Sequence, residues 1–298
     1  LAVWLSLALG LFNALTHPTF ERYFIFIVPF VSILAVVGLF GADRGGKQLR
    51  ELLAETKIDT RTAIEDSNFP TIVKTRIIAR NQQIVRVDRE QLRSPTQSQV
   101  SRIVANVRRR LPKLDAIIFE DYGKGFLTPD LIARISADAL AAGKIVTGDP
   151  NPHHAIDWEK MTAVKPNRNE AFLAAGIPWA DPAEAPSKDK PLLKTGELLL
   201  KKWQTKLLLI TLGEQGMMLF ERGKKPHHIP TKARQVFDVS GAGDTAIALF
   251  TLALSCNASA VEAAEIANHA SAVVVGKLGT ATVTPAELLA SFKNDRLV

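Results

Sequence analysis

Four consecutive residues, Gly241, Ala242, Gly243 and Asp244, separate a short apolar run from the long apolar stretch TAIALFTLALS. Glycine has no Cβ, so its backbone amide can approach an anion closely. A helix starting here adds about half a positive charge at its N-terminus, which suits a phosphate. An aspartate at that position could take a proton from an attacking hydroxyl. The same residues also make a glycine turn with an acid that satisfies the helix dipole, and the tetrapeptide alone leaves both readings open.

The segment KPNRNE, 165–170, follows a strand-like run and opens a helix-like one. Asn167 and Glu170 lie three apart, so their side chains are neighbours on a helix. They could organise magnesium-bound water beside a phosphate, or cap the helix by exchanging bonds with its first turn. GADRGGKQ, 41–48, is a rival phosphate loop with Gly-x4-Gly-Lys spacing. It ends in Gln48, where a P-loop needs Ser or Thr to hold magnesium. The six histidines show no metal-ligand spacing, and the HH pairs at 153–154 and 227–228 read as surface loops. No Gly-x-Ser-x-Gly elbow is present. Cys256, in an apolar helix, reads as core.

The elements that must hold these motifs alternate along the chain. GGKQLRELLAE is an amphipathic helix, and residues 96–111 form another. DAIIFED, KIVTGDP and MTAVKPN are buried strands, and RNEAFLAAG is a helix ending at Gly176. Residues 177–191, rich in Pro, Asp and Ala, are a surface loop, followed by a helix over 192–203. KLLLITLG and GMMLFERG pair like a hairpin, and two long apolar helices follow. Strands alternating with helices predict an α/β fold whose mainly parallel sheet is covered on both faces. TIVKTRIIA and QQIVRVDRE, within 71–90, interrupt that alternation as a separate small sheet or lid. On one face of KTRIIAR, 74–80, alternate residues place Lys74, Arg76 and Arg80.

The chain has 298 residues and is 47% hydrophobic, enough for one large domain or two small ones. The single cysteine excludes an internal disulfide framework and fits a reducing, cytoplasmic compartment. A net charge of +7 suggests anionic ligands. The basic residues are scattered, however, and RRR at 108–110 reads as a solvated helix face, so no nucleic-acid partner is expected. The chain opens on Leu1, which reads as a fragment of a longer protein. Residues 1–20 and 24–42 carry no Asp, Glu, Lys or Arg. Either segment could span a bilayer by length and apolarity, against the alternative of a buried helix and strand. Membrane contact of residues 1–42 stays open.

Taken together and in order, DVSGAGDT, KPNRNE and ITLGEQG resemble the ribokinase-like, or PfkB, family of sugar kinases. KTRIIARNQQIVRVDRE, EDYGKG and VVGKLGTATV resemble its heptose 7-phosphate kinase branch. The resemblance covers about residues 36–292. It implies a three-layer α/β/α sandwich with a small β lid, with 36–298 as the kinase domain and 71–90 as lid strands. It implies ATP and Mg2+ as cofactors and phosphorylation of D-glycero-β-D-manno-heptose 7-phosphate at the anomeric hydroxyl, in lipopolysaccharide core biosynthesis. Asp244 would be the base, and the amides of Gly241, Ala242 and Gly243 the anion hole. Segment 167–170 (Asn167, Arg168, Asn169, Glu170) would contact ATP, with Asn167 and Glu170 serving Mg2+ through water. Thr211, Gly213 and Gly216 would line the nucleotide, with Asn268 near the adenine. Lys74, Arg76, Arg80 and Gln82 would cover the sugar phosphate, and the lid strands would also be the surface for a homodimer. The front departs from the family, which opens with a strand bearing Gly-Asp and then a Gly-Gly-…-Asn segment. Residues 1–35 carry neither, so an atypical, membrane-like or misjoined N-terminal segment and an incomplete sugar site are expected. Another PfkB sugar kinase, a P-loop NTPase and a nucleotide-binding remnant stay as alternatives.

Overall fold

The computed structural model describes residues 36–295 except 56–57, 80–81, 155, 184, 234, 278 and 280. The expectations for segment 1–35 and for Arg80 therefore lie outside the described residues. The chain first forms β1 (Leu39–Gly41), α1 (Arg44–Glu55) and β2 (Ile64–Asp66), with β1 and β2 paired in parallel. Asp43 organises the entry to α1. Its carboxylate accepts the Gly46 amide at 2.8 Å, the Thr71 hydroxyl at 2.7 Å and the Thr71 amide at 3.0 Å. A Cβ on Gly46 would lie 2.0 Å from the Gly41 carbonyl oxygen. The turn at 41–48 is thus filled by its own aspartate and leaves no cradle for a phosphate, which removes the P-loop alternative.

Strands β3 (Val73–Ala79) and β4 (Gln82–Arg89) form a separate antiparallel pair, as the sequence predicts. Ile77 faces Val85 while Ile78 faces Gln83, so Ile84 is the extra residue of a bulge, a feature that twists a ribbon.

Then come α2 (Gln97–Arg110), β5 (Ala116–Glu120), α3 (Pro129–Ala141), β6 (Ile145–Asp149), β7 (Ala163–Val164) and α4 (Arg168–Ala175). After these follow α5 (Lys190–Lys202), β8 (Leu207–Thr211), β9 (Met217–Glu221), β10 (His227–Ile229), α6 (Ala242–Ser255), α7 (Ala260–Val275) and α8 (Pro285–Asp295). The main sheet runs β10-β9-β8-β7-β6-β5, with β5 to β8 parallel and the last two strands antiparallel. The apolar faces of α2, α3, α4 and α5 bury one side of it, around Ile103, Leu131, Phe172 and Leu199. Helices α6, α7 and α8 bury the other, around Phe250, Ala267 and Leu288. Three layers follow because strands with two apolar faces need cover on both.

Two local expectations change. The loop 177–191 is not wholly surface: Pro186 and Asp189 are buried, and α5 starts at Lys190 because Asp189 caps it. The arginines 108–110 are paired rather than merely solvated, Arg108 with Asp138 at 2.6 Å, Arg109 with Asn106 and Arg110 with Asp59. No helix among the described residues is long and apolar enough to cross a membrane.

Candidate active site

The carboxyl ends of adjacent parallel strands converge on one region, where open α/β sheets bind ligands. β5 ends at Glu120, β6 at Asp149, and β7 runs directly into Lys165. Asn167 bridges in parallel to Thr211 at the end of β8, and the Thr211 amide donates to Pro166 at 3.0 Å. Helix α6 packs across β5 and β6 and is tied to β6 by a 2.7 Å hydrogen bond between the Thr251 and Thr147 hydroxyls. Its first turn delivers Asp244 to the same place. Gly241, at φ 82°, is its N-cap, a left-handed conformation that glycine adopts without strain. The Ala242 amide turns back to Val239 at 3.2 Å, so the expected anion hole loses that donor. The half-buried Gly243 and Asp244 follow it in the first helical turn, whose amides have no intrahelical partner.

One carboxylate oxygen each from Glu120, Asp149 and Asp244 lie within 4.8 Å of one another. This oxygen-only donor set suits a hard divalent cation such as magnesium. Burial, then the charges of Asp149 and Asp244, push the Glu120 carboxyl up to about 8. The Lys165 ammonium lies 2.8 Å from Asp149 Oδ2 and is 3% exposed. Burial opposes its charge, but Asp149, with Glu120 and Glu170, outweighs that and keeps its pKa above the usual lysine value. Tyr122 is exposed, and its hydroxyl donates to Glu120 Oε2 at 3.5 Å. Partial burial first, then the charges of Glu120 and Asp244, raise its pKa.

Asn167 and Glu170 do form the cap. Asn167 Oδ1 accepts the Glu170 amide at 2.9 Å, and Glu170 Oε2 accepts the Asn167 amide at 2.7 Å. The other carboxylate oxygen of half-buried Glu170 is outside this exchange, so a cap and a water-held magnesium are compatible here. Asn169 is exposed in the same turn. Arg168 is not turned to the ligand side. Its side chain is buried against Asp189 at 2.8 Å and the Ala180 carbonyl at 3.0 Å, over the rings of Phe172 and Trp179. Its long neighbour contacts, not the local spacing, decide that.

On the expected nucleotide side, Gly216 lies so close to the next strand that a Cβ would sit 2.1 Å from the Ile229 carbonyl oxygen. The buried Asn268 donates to the Pro230 carbonyl at 2.6 Å, so Gly216 and Asn268 flank one segment. Gly213 stands in open space at φ 60°. In the lid, Lys74 is exposed, while the side chains of Arg76 and Gln82 lie outside the described residues.

Sequence reasoning missed Glu120, Tyr122, Asp149 and Lys165. Their signal was present: IIFED, KIVTGDP and MTAVK each end an apolar strand in a charge. It also read His154 as surface, whereas its Nδ1 lies 2.9 Å from the Asp121 carboxylate beside Glu120. Cys256 is core as expected, buried, with its thiol pushed up to about 11 by burial.

A three-layer α/β sandwich with a glycine turn, a first-turn aspartate and charged strand ends defines a phosphotransferase fold of the ribokinase type. The chain belongs to the pfkB family of carbohydrate kinases, whose pattern matches residues 32–287. It is 38% identical over 261 residues to the bifunctional protein HldE of Desulfatibacillum aliphaticivorans, covering 88% of this chain and 52% of that one. It is 40% identical over 261 residues to the HldE of Geobacter metallireducens, again over 88% of this chain and 51% of the relative. The chain thus spans about half the length of the curated relatives it matches. Its fold is similar to Thermotoga maritima ribokinase, at a TM-score of 0.67 and 20% identity over 87% of this chain and 81% of that one. It is also similar to Escherichia coli phosphofructokinase-2 in complex with potassium, at 0.72 and 15% over 90% and 84%.

Proposed function

We propose that this chain transfers the γ-phosphoryl group of ATP to the anomeric hydroxyl of D-glycero-β-D-manno-heptose 7-phosphate, giving the 1,7-bisphosphate for ADP-heptose and lipopolysaccharide core synthesis. The observation that carries the reading is Asp244, in the first turn of α6 beside Gly243, facing Glu120 and Asp149 at the strand ends. Asp244 takes the hydroxyl proton, the sugar oxygen bonds to the γ-phosphorus, and the bond to the bridging oxygen of ADP breaks. The Gly243 turn and the helix N-terminus hold the transferred group. Magnesium, when bound, neutralises phosphate charge. The oxygens of Glu170 and Asn167 would hold it through water.

The heptose reading rests on EDYGKG and the lid strands, and the HldE relatives support it. Lys74, Arg76, Arg80 and Gln82 of the lid take the sugar phosphate. The exposed apolar residues Ile77, Val85 and Val87 of the lid suit a homodimer, checked by sedimentation. A cytoplasmic site of action fits the nucleotide requirement and the buried, free Cys256.

The test is an incubation of the purified chain with MgATP and heptose 7-phosphate, following ADP and the bisphosphate, beside ribose and fructose 6-phosphate. Turnover selective for the heptose is expected. Selectivity for another sugar assigns a different carbohydrate kinase, and nucleotide binding with no turnover on any sugar assigns the remnant.

A further inference from the structure

We infer that Lys165 is a phosphate-binding lysine, supplying the fixed positive charge behind the Gly243 turn that selects a nucleotide with a terminal γ-phosphate. The inference rests on the kinase reading and deepens it.

Three observations place the charge there. A Cβ on Gly243 would lie 3.1 Å from Lys165 Nζ, so the ammonium stands directly against the turn. The lysine comes from the end of β7, and its anchor Asp149 from the end of β6, so two strands of the rigid sheet hold it. A site built on such elements is positioned more sharply than one on loops. The region is also rich in acid, with Glu120, Asp149, Asp244 and Glu170 all near Lys165 or one another. An entering polyphosphate meets those charges, and Lys165 opposes them from within the protein, where screening by water is weak.

The bland alternative is a structural ion pair. A buried pair is poor evidence for stability, because well-packed apolar residues often do as well or better. Retaining a buried ammonium behind the phosphate turn is therefore better explained by what it binds.

The test compares binding of a non-hydrolysable ATP analogue, AMP-PNP, with binding of ADP, both with excess magnesium, by calorimetry on the full chain. The unsubstituted chain should prefer AMP-PNP. Lys165→Met should weaken AMP-PNP by about 10-fold or more, the size of a charge-assisted contact, and ADP by much less. Equal losses for both nucleotides, or no loss, overturn the inference and leave the kinase reading standing. If Lys165→Met does not fold, Asp149→Asn decides. It keeps the ammonium but frees it from its partner, so the ratio of AMP-PNP to ADP affinity should rise, and an unchanged or lower ratio overturns the inference. If the unsubstituted chain binds neither nucleotide, the kinase reading fails and the inference with it.

Discussion

The Arg168 guanidinium stands 2.8 Å from the Asp189 carboxylate, and both residues are buried. The pair joins the start of α4 to the cap of α5, because Asp189 also accepts the Leu192 amide at 2.9 Å. Arg168→Ala leaves that acid buried without a counter-charge, at an expected cost of about 3–5 kcal/mol. Arg168→Lys should recover only part of it, because lysine lacks the planar group that lies over the Phe172 and Trp179 rings. Urea unfolding of both variants measures this, and a loss below about 1 kcal/mol for Arg168→Ala would place the arginine elsewhere.

Asp244→Asn should lower phosphoryl transfer by about 10²–10⁴-fold, the usual contribution of a general base. AMP-PNP binding should change little, since asparagine keeps the shape of the side chain. The variant loses a first-turn charge but also relieves repulsion from Glu120 and Asp149, so its stability should change by less than about 1 kcal/mol. Single-turnover kinetics with a parallel binding titration separate these effects.

Asp43 gives the entry to α1 a pH signature. The Thr71 hydroxyl first, then the Gly46 amide, hold its carboxyl down at about 2, below the ordinary 3.8. A depressed folded pKa contributes stability that is present above the unfolded value and is lost as pH falls through the folded one. The stability gap between the unsubstituted chain and Asp43→Asn should thus be full at pH 7. It should close as the pH drops from about 4 to 2. A gap of the same size across that window, by denaturant titration, would mean that the charge of Asp43 contributes nothing.

Gly216→Ala and Gly213→Ala should behave differently although both glycines have positive φ. Gly216 combines φ 87° with a Cβ position 2.1 Å from the Ile229 oxygen, whereas Gly213 meets nothing within 4 Å. Gly213→Ala should cost about 1–2 kcal/mol from conformation alone. Gly216→Ala should cost more than that and also weaken ADP binding, because it pushes apart the segment that Asn268 holds. Equal thermal shifts for the two variants would remove the steric argument.

Much of this protein was legible along the chain because its causes are local. The apolar runs IIF and LLLI give strands, Asn167 with Glu170 gives a capping box, and Gly241 marks the start of α6. Such features depend on neighbours three or four residues away, so spacing reports them, and the GAGD and Asn-x-x-Glu signals could be placed on their elements. Tertiary structure alone decided which charges share a site. Glu120, Asp149, Lys165 and Asp244 come from four separate elements, and only the parallel order of β5, β6 and β7 with α6 laid across them brings the four together. It likewise decided that Arg168, one residue from Asn167, serves the packing of α4 and α5, and that the glycines of 41–48 close over Asp43. The energies of buried charge and close contact depend on groups distant in sequence, and no local pattern encodes where those groups will be.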